Sequence, residues 1–248
     1  MNIEEVLRAV STPLGDGAAY PGGPYRFFRR EYLNIYYRSD PAALRRVVPE
    51  PLRLDGALVR FEIMLMPDSV GLGRYAEGGQ AIRVSLDGCH GEYLHAMYVD
   101  SLPAIAAGRE ASAYPKTLGK PALYVDSDTL VGSIDYGSLR IATATMGYKH
   151  RPLPRDEALA AIGVETFMLK TMRGYDSRPR ICELVRTRIS DIRLHEAWTG
   201  PARLQLFAHA LAPMADLPVL EVLGASHLVA DLSLEMPALV YDYLAPPG

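Results

Sequence analysis

Amine chemistry has few candidates in this 248-residue chain. Among its 26 cationic side chains only four are lysines, Lys116, Lys120, Lys149 and Lys170; the other 22 are arginines. A guanidinium stays protonated in a protein, whereas a lysine taken out of water can lose its proton and become a nucleophile. Lys116 stands apart by context. It follows a proline in the stretch "GREASAYPKTLGKP", residues 108–121, among mostly small and apolar neighbours.

Other chemical signatures do not hold up. "GLGRYA" at 71–76 opens like a dinucleotide loop, but it lacks the third glycine and a strand-to-helix turn. Gly119-Lys120 is followed by Pro121, and Tyr114 stands where a phosphate loop needs glycine. His90, His95, His150, His195, His209 and His227 form no HExxH or facial-triad spacing. His95 lies in a strand-like run and reads as a satisfied structural histidine. Ser226 and His227 are adjacent, which on a strand sends them to opposite faces and argues against a nucleophile pair. Cys89 and Cys182 have no metal-ligand spacing and read as reduced, packed thiols. No metal or cofactor is expected.

Composition narrows the class further. A 49% hydrophobic content can build a sizeable core, and 22% charged residues argue against wholesale disorder. A net charge of −3 gives no reason to expect nucleic acid or an anionic membrane as partner. No apolar run reaches transmembrane length. The acidic, amphipathic start "MNIEEVLRAVSTPL" lacks the basic and apolar segments of a signal peptide, so the expected location is cytoplasmic.

The elements that must position Lys116 read as mainly β. Ile3–Val10 is a short amphipathic helix, and Ser11–Gly23 a loop rich in Gly and Pro. Tyr32–Tyr37 is a strand. Asp40-Pro41 supplies an N-cap and a first-turn proline for a helix running to Pro49. Leu58–Met66 is a strand, followed by a loop, "PDSVGLGRYAEGG". Ala81–Leu86, Tyr93–Val99 and Ala104–Ala107 read as strands. Asp128–Ile134 and Leu139–Met146 flank "DYGS" as a hairpin. Asp156–Gly163 reads as a capped helix. Ile181–Leu194, Ala202–Phe207 and Ser226–Leu234 are mostly strand. Long strands without βα alternation favour an antiparallel sheet or barrel. With no repeat or linker, one domain over residues 1–248 is the simpler organisation.

The sequence around Lys116 resembles the acetoacetate decarboxylase family, and the likeness covers nearly the whole chain. It is carried by "STPL" at 11–14, "GPYRFFRREYLNIYYR" at 23–38, "LRRVVPEPL" at 44–52 and "VRFEIMLM" at 59–66. It continues through "YAEGGQ" at 75–80, "GEYLHAMYVD" at 91–100 and "GREASAYPKTLG" at 108–119. The long run at 125–150, "RICELV" at 180–185 and "HEAWTGPARLQLF" at 195–207 extend it. The resemblance implies an α+β, mainly β fold, a closed cone-like antiparallel barrel with peripheral helices. It also implies a large homo-oligomer, a small β-keto acid substrate and no cofactor.

By the same resemblance Lys116 matches the family's Schiff-base lysine, Arg30 its active-site arginine and Glu77 its catalytic carboxylate. Glu62 matches a second buried carboxylate near that arginine. Phe27, Met97, Tyr98 and Tyr114, with Pro115 and Leu118, would form the apolar surroundings. The family usually carries two adjacent lysines after Tyr-Pro; here the second position is Thr117.

A β-keto acid loses CO2 slowly because the electrons left behind need a sink. A lysine amine condensed with the ketone as a protonated imine supplies one, and the resulting enamine is protonated and hydrolysed. An ordinary lysine, with a pKa of about 10.4, is neutral in roughly 1 part in 2500 at pH 7, so burial must make the free amine accessible. Arg30 would hold the substrate carboxylate and Glu77 would move protons. Two other readings stay open. One is a Schiff-base aldolase or dehydratase on another keto acid, which Thr117 keeps alive. The other is a catalytically silent ligand-binding relative, against which the retention of Lys116, Glu77 and Arg30 argues.

Overall fold

Two faces are buried at once in the middle of this chain's larger sheet, and that explains its unusually apolar strands. A computed structural model describes residues 1–15 and 17–245. Asp16, in the expected Ser11–Gly23 loop, and residues 246–248 lie outside the described residues. The strands are Tyr25–Arg38 (β1), Arg53–Met66 (β2), Asp68–Ser69 (β3), Tyr75–Leu86 (β4), Cys89–Val99 (β5) and Lys116–Leu118 (β6). Next come Lys120–Asp126 (β7), Thr129–Tyr136 (β8), Leu139–Gly147 (β9), Arg151–Pro152 (β10) and Thr166–Arg173 (β11). Pro179–Thr187 (β12), Ile189–Thr199 (β13), Ala202–Leu206 (β14), Glu221–Leu234 (β15) and Ala238–Asp242 (β16) follow. The helices are Ile3–Arg8 (α1), Pro41–Val47 (α2), Leu102–Glu110 (α3) and Arg155–Ile162 (α4).

The larger sheet has the order β10-β13-β15-β1-β2-β4-β5-β11-β12-β16, with β3 on β1 and β6 on β5. A four-stranded sheet, β14-β9-β8-β7, packs against its centre. Pairing is antiparallel except where β5 takes β6 and β11 as parallel neighbours. The hydrogen-bonded order has two ends, and among the described residues β10 and β16 are not paired with each other.

Strand alternation assigns the faces. Leu33, Ile35 and Tyr37 of β1 and Val59, Phe61 and Ile63 of β2 enter the core between the sheets, with Leu130, Ile134 and Ile141 opposite. The residues between them, Tyr32 and Asn34 of β1 and Arg60 and Glu62 of β2, face a cavity on the other side. Polar side chains thus hide inside strands that look apolar throughout.

Several expected elements form as read. Asp40 caps α2, its carboxylate accepting from the N–H groups of Ala42 at 3.2 Å and Ala43 at 3.1 Å. The hairpin between β8 and β9 turns at Gly137, whose φ of 63° suits a residue without a Cβ. Other elements differ. Ala104–Ala107 is not a strand; it lies within α3, where the Ser101 side chain accepts from Ala104 N–H and Pro103 sits in the first turn. Helix-forming alanines and that start signal prevail over a short apolar run. The helix expected at Asp156–Gly163 forms as α4, but Pro154 at its start offers no side-chain cap. The single strand read at Ile181–Leu194 is two, β12 and β13, meeting at Arg188. Residues Tyr75–Gly79, read as loop, are the first part of β4. Glycine fits there because β5 comes close: a Cβ on Gly79 would lie 2.0 Å from the Ala96 carbonyl oxygen.

His95 is only partly satisfied, since its Nε2 is buried without a hydrogen-bond partner among the described residues. Cys89 and Cys182 are half-buried free thiols. No helix of the described residues is long and apolar enough to cross a membrane.

Candidate active site

Lys116 is the first residue of β6, and three neighbours fix its backbone. Its strand pairs in parallel with β5, Lys116 opposite Met97. Its carbonyl accepts from Arg109 Nη1 at 3.1 Å, and its N–H donates to the Tyr114 carbonyl at 2.7 Å. The side chain points inward and is 7% exposed, while Thr117 and Leu118 are exposed. The stem runs past α3 at Gly108, and the ammonium lies 5.6 Å from the Tyr75 ring centre and 5.2 Å from that of Tyr114.

Glu77 joins the site from β4, between β2 (opposite Met64) and β5 (opposite Val99). It is 3% exposed. Its Oε2 is 2.8 Å from Lys116 Nζ, and its Oε1 accepts from Arg30 Nη2 at 3.3 Å. One carboxylate therefore lies between the site's lysine and its arginine. The Lys116 contact is close but not aligned as a hydrogen bond, so Oε2 keeps no directed donor.

Arg30 is held by stacking as well as charge. Its guanidinium carbon lies 5.2 Å from the Phe27 ring centre and 4.9 Å from that of Tyr32. Burial works against the charge, but Tyr32, Glu77, Tyr75 and Glu62 more than offset it and hold the guanidinium above its ordinary range. Its Nε has no partner among the described residues, so a donor remains for an incoming anion.

Glu62, on β2, faces the same cavity and pairs with Arg60, which also donates from Nε to Glu92 at 2.8 Å. Burial pushes the Glu62 carboxyl up, against the pull of Arg60 and Arg30. Tyr32 is pushed up to about 12, chiefly by burial, and its hydroxyl has no partner among the described residues. Burial likewise raises the Tyr75 and Tyr114 phenols, so all three stay neutral donors across the physiological range. Lys116, Arg30 and Arg60 face Glu77, Glu62 and Glu92, and the exposed Arg188 also lines the cavity.

The cavity measures about 50 Å³, on a scale where one water needs about 10–15 Å³, so it suits a small molecule. Lys116, Glu77, Arg30, Glu62, Phe27, Met97 and Tyr114 all line it. Tyr98 does not: next to Met97 on β5, it points to the opposite face and packs edge-on against Tyr136 in the core between the sheets. Leu118, exposed at the end of β6, is not part of the wall either. The reading of the sequence also missed Tyr75, Tyr32, Asn34 and Arg60. Tyr75 sits two residues before Glu77, so treating "YAEGGQ" as strand would have put the two on one face. Among the described residues no cluster of His, Cys, Asp and Glu could hold a metal ion.

Comparison with known proteins sets nearly the whole chain beside one family. Residues 10–244 match the family model described as acetoacetate decarboxylase (ADC). A Clostridium beijerinckii protein named acetoacetate decarboxylase is 62% identical over 241 residues, 97% of this chain and 98% of that one. A Streptomyces nogalater protein of the same name is 61% identical over 245 residues, covering 99% and 100%. A solved structure from structural studies of acetoacetate decarboxylase superposes with a TM-score of 0.96 at 59% identity, covering 99% of this chain and 100% of that one.

Proposed function

The chain belongs to the acetoacetate decarboxylase family and is a carboxy-lyase that converts acetoacetate to acetone and CO2, and we propose that it does so through a Schiff base on Lys116. The observation that carries this reading is the buried contact of Lys116 Nζ with Glu77 Oε2 at 2.8 Å, with Arg30 on the other carboxylate oxygen. The carboxylate is placed to take the ammonium proton and free the amine for attack.

Each turnover consumes one proton from solvent and regenerates the Lys116 ammonium and the Glu77 carboxylate. The Lys116 amine adds to the ketone carbon of acetoacetate and expels water, leaving a protonated imine. Arg30 turns its free Nε to the substrate carboxylate and orients the bond to be broken. That carbon–carbon bond breaks, CO2 leaves, and the electron pair moves into the imine as an enamine. Glu77, having given the ammonium proton back as water left in forming the imine, takes a proton from solvent and passes it to the enamine carbon, and water then releases acetone and the Lys116 ammonium. Arg30 must hold the carboxylate without over-stabilising it, since binding equal in ground and transition states does not raise kcat. Glu62, paired with Arg60 on the same cavity wall, is a supporting carboxylate beside the substrate.

The closed cone-like barrel, the single domain, the large homo-oligomer and the cytoplasmic location expected of the family belong to the same reading. The match over residues 10–244 supports the single domain. The TM-score of 0.96 over nearly the whole chain supports the family's fold, and closure into a barrel goes beyond the strand pairing, whose order ends at β10 and β16.

Borohydride reduction in the presence of acetoacetate tests the chemistry. The reduced imine is expected on Lys116, with loss of activity. An adduct mapped by mass spectrometry to Lys120, Lys149 or Lys170 overturns the assignment.

A further inference from the structure

On a regular strand, Phe27 and Arg30 would point to opposite faces, since three positions separate them. Here both line the one cavity. A bulge is the cause. The pairing of β1 with β15 steps from Phe27–Leu232 to Arg30–Ala230, so Phe28 and Arg29 together face the single residue Asp231. Arg29 adopts a φ of 52°, the left-handed region that a residue with a Cβ enters at a cost. Something must hold it there.

The holder is visible on the far side of the sheet. The Arg29 backbone N–H donates to Asp231 Oδ1 at 2.8 Å. The same oxygen lies 2.8 Å from His195 Nε2 on β13, whose pairing with β15 skips His195 between Leu194 and Glu196. Burial alone would raise the Asp231 carboxyl, but the Arg29 N–H and His195 hold it below the usual carboxylate range. Asp231 does not line the cavity.

We propose that Asp231 is a positioning residue for the decarboxylase: by holding the Arg29 N–H it maintains the bulge that brings Phe27 and Arg30 to the same face. Its effect on catalysis passes entirely through Arg30, so it rests on the reading of Arg30 as the partner of the substrate carboxylate. Without the bulge, Arg30 loses the Phe27 ring beneath it and its line to Glu77. Asparagine at 231 keeps an oxygen for the N–H, whereas alanine does not. Glycine at 29 adopts the left-handed backbone without strain and keeps the bulge with no holder.

The test is steady-state kinetics of the full chain on acetoacetate, with thermal unfolding measured alongside. Asp231→Ala is expected to lower kcat/KM by about 10- to 100-fold, mainly through KM, as a displaced binding group does. Asp231→Asn is expected to stay within about threefold, and Asp231→Ala with Arg29→Gly to recover most of the loss. If Asp231→Ala does not fold, Asp231→Val, a better strand former also lacking the acceptor, replaces it. If neither folds alone, recovery of folded, active protein on adding Arg29→Gly supports the clamp, and no recovery overturns it. Arg30→Gln run in parallel separates the two readings. If Arg30→Gln raises KM while folded Asp231→Ala has wild-type kinetics, the clamp is wrong and the role of Arg30 stands. If Arg30→Gln changes nothing, the role of Arg30 falls, and the clamp with it. A loss in Asp231→Asn equal to that in Asp231→Ala, or a loss that Arg29→Gly does not restore, also overturns the clamp.

Discussion

Gly108 and Lys116 occupy adjoining space so closely that no side chain fits between them. A Cβ on Gly108 would lie 2.6 Å from Lys116 Cδ and 2.9 Å from Cε. The lysine stem is flexible, but it has little room to yield, because its tip lies against Glu77 and near the rings of Tyr75 and Tyr114. Helix α3 therefore acts as a wall that aims the lysine.

Gly108→Ala tests that wall. Alanine favours the helix by about 1 kcal/mol over glycine, so stability should not suffer from the backbone. The added methyl is expected to displace the amine and lower kcat by about 10- to 100-fold. The measurement is kcat together with thermal unfolding. A folded variant with kcat within about twofold of the parent would show that the lysine finds another path to Glu77.

The shared carboxylate makes a second expectation specific. Glu77→Gln keeps the shape but cannot take a proton from Lys116, and it is expected to lower kcat by about 100-fold or more. Imine trapping by borohydride should still succeed on long incubation. Arg30→Gln removes the charge-assisted grip proposed for this arginine on the substrate carboxylate and is expected to act mainly on KM. Near-normal turnover in Glu77→Gln would remove its role in proton transfer. Unchanged KM and kcat in Arg30→Gln would make that arginine structural.

Much of this site was legible in the sequence, and the gaps have identifiable physical causes. Lys116, Glu77, Arg30 and Glu62 were singled out by resemblance and do converge on one cavity. Glu77 falls within a stretch that reads as loop, whereas in the structure it lies on β4, where Gly79 admits the close approach of β5. Tyr98 faces away from the cavity and Tyr75 into it for one reason: neighbouring strand residues, such as Met97 and Tyr98, face opposite ways, and alternate ones, such as Tyr75 and Glu77, face together. Phe27 and Arg30 show the limit from the other side. Parity separates them, and only the bulge at Phe28 and Arg29, held from Asp231 some 200 residues along the chain, reunites them. No local pattern carries that information.

His95 offers a test in stability rather than activity. Burial pushes its imidazole below the ordinary value of 6.5, against weaker pulls from Asp216 and the Pro213 backbone. As pH falls below about 6.5 the unfolded chain takes up this proton before the folded one. Stability from this group is therefore full above that pH and is lost as pH drops towards the folded value. Denaturant unfolding at pH 7.5 and 5.5 should show His95→Leu losing less stability across the interval than the parent. Equal losses would mean that His95 does not titrate differently on folding.

Thr117 is where this chain departs from the pair of lysines usual in its family, and a single replacement measures what the departure does. Acetoacetate decarboxylase is itself the standard example of a lysine activated beside a second cation. Two charges about 6 Å apart at an effective dielectric near 20 repel by roughly 2.8 kcal/mol, or about 2 pH units. Position 117, however, is exposed while Lys116 is buried, so the two side chains leave β6 on opposite faces. A cation at 117 would reach into solvent, where ions screen it within about 10 Å. Arg30 is a cation that does share the site with Lys116, through Glu77. Thr117→Lys is therefore expected to move the acidic limb of the kcat/KM profile by less than about one pH unit. The rival account expects the present protein to be nearly inactive near neutral pH and the added lysine to restore activity by moving that limb down by about 2 units or more. Paired pH–rate profiles decide between them, with unfolding followed at each pH so that lost structure is not mistaken for titration. A large downward move would make the neighbouring charge, and not the enclosure of Lys116 by α3, Tyr75 and Tyr114, the main source of its reactivity.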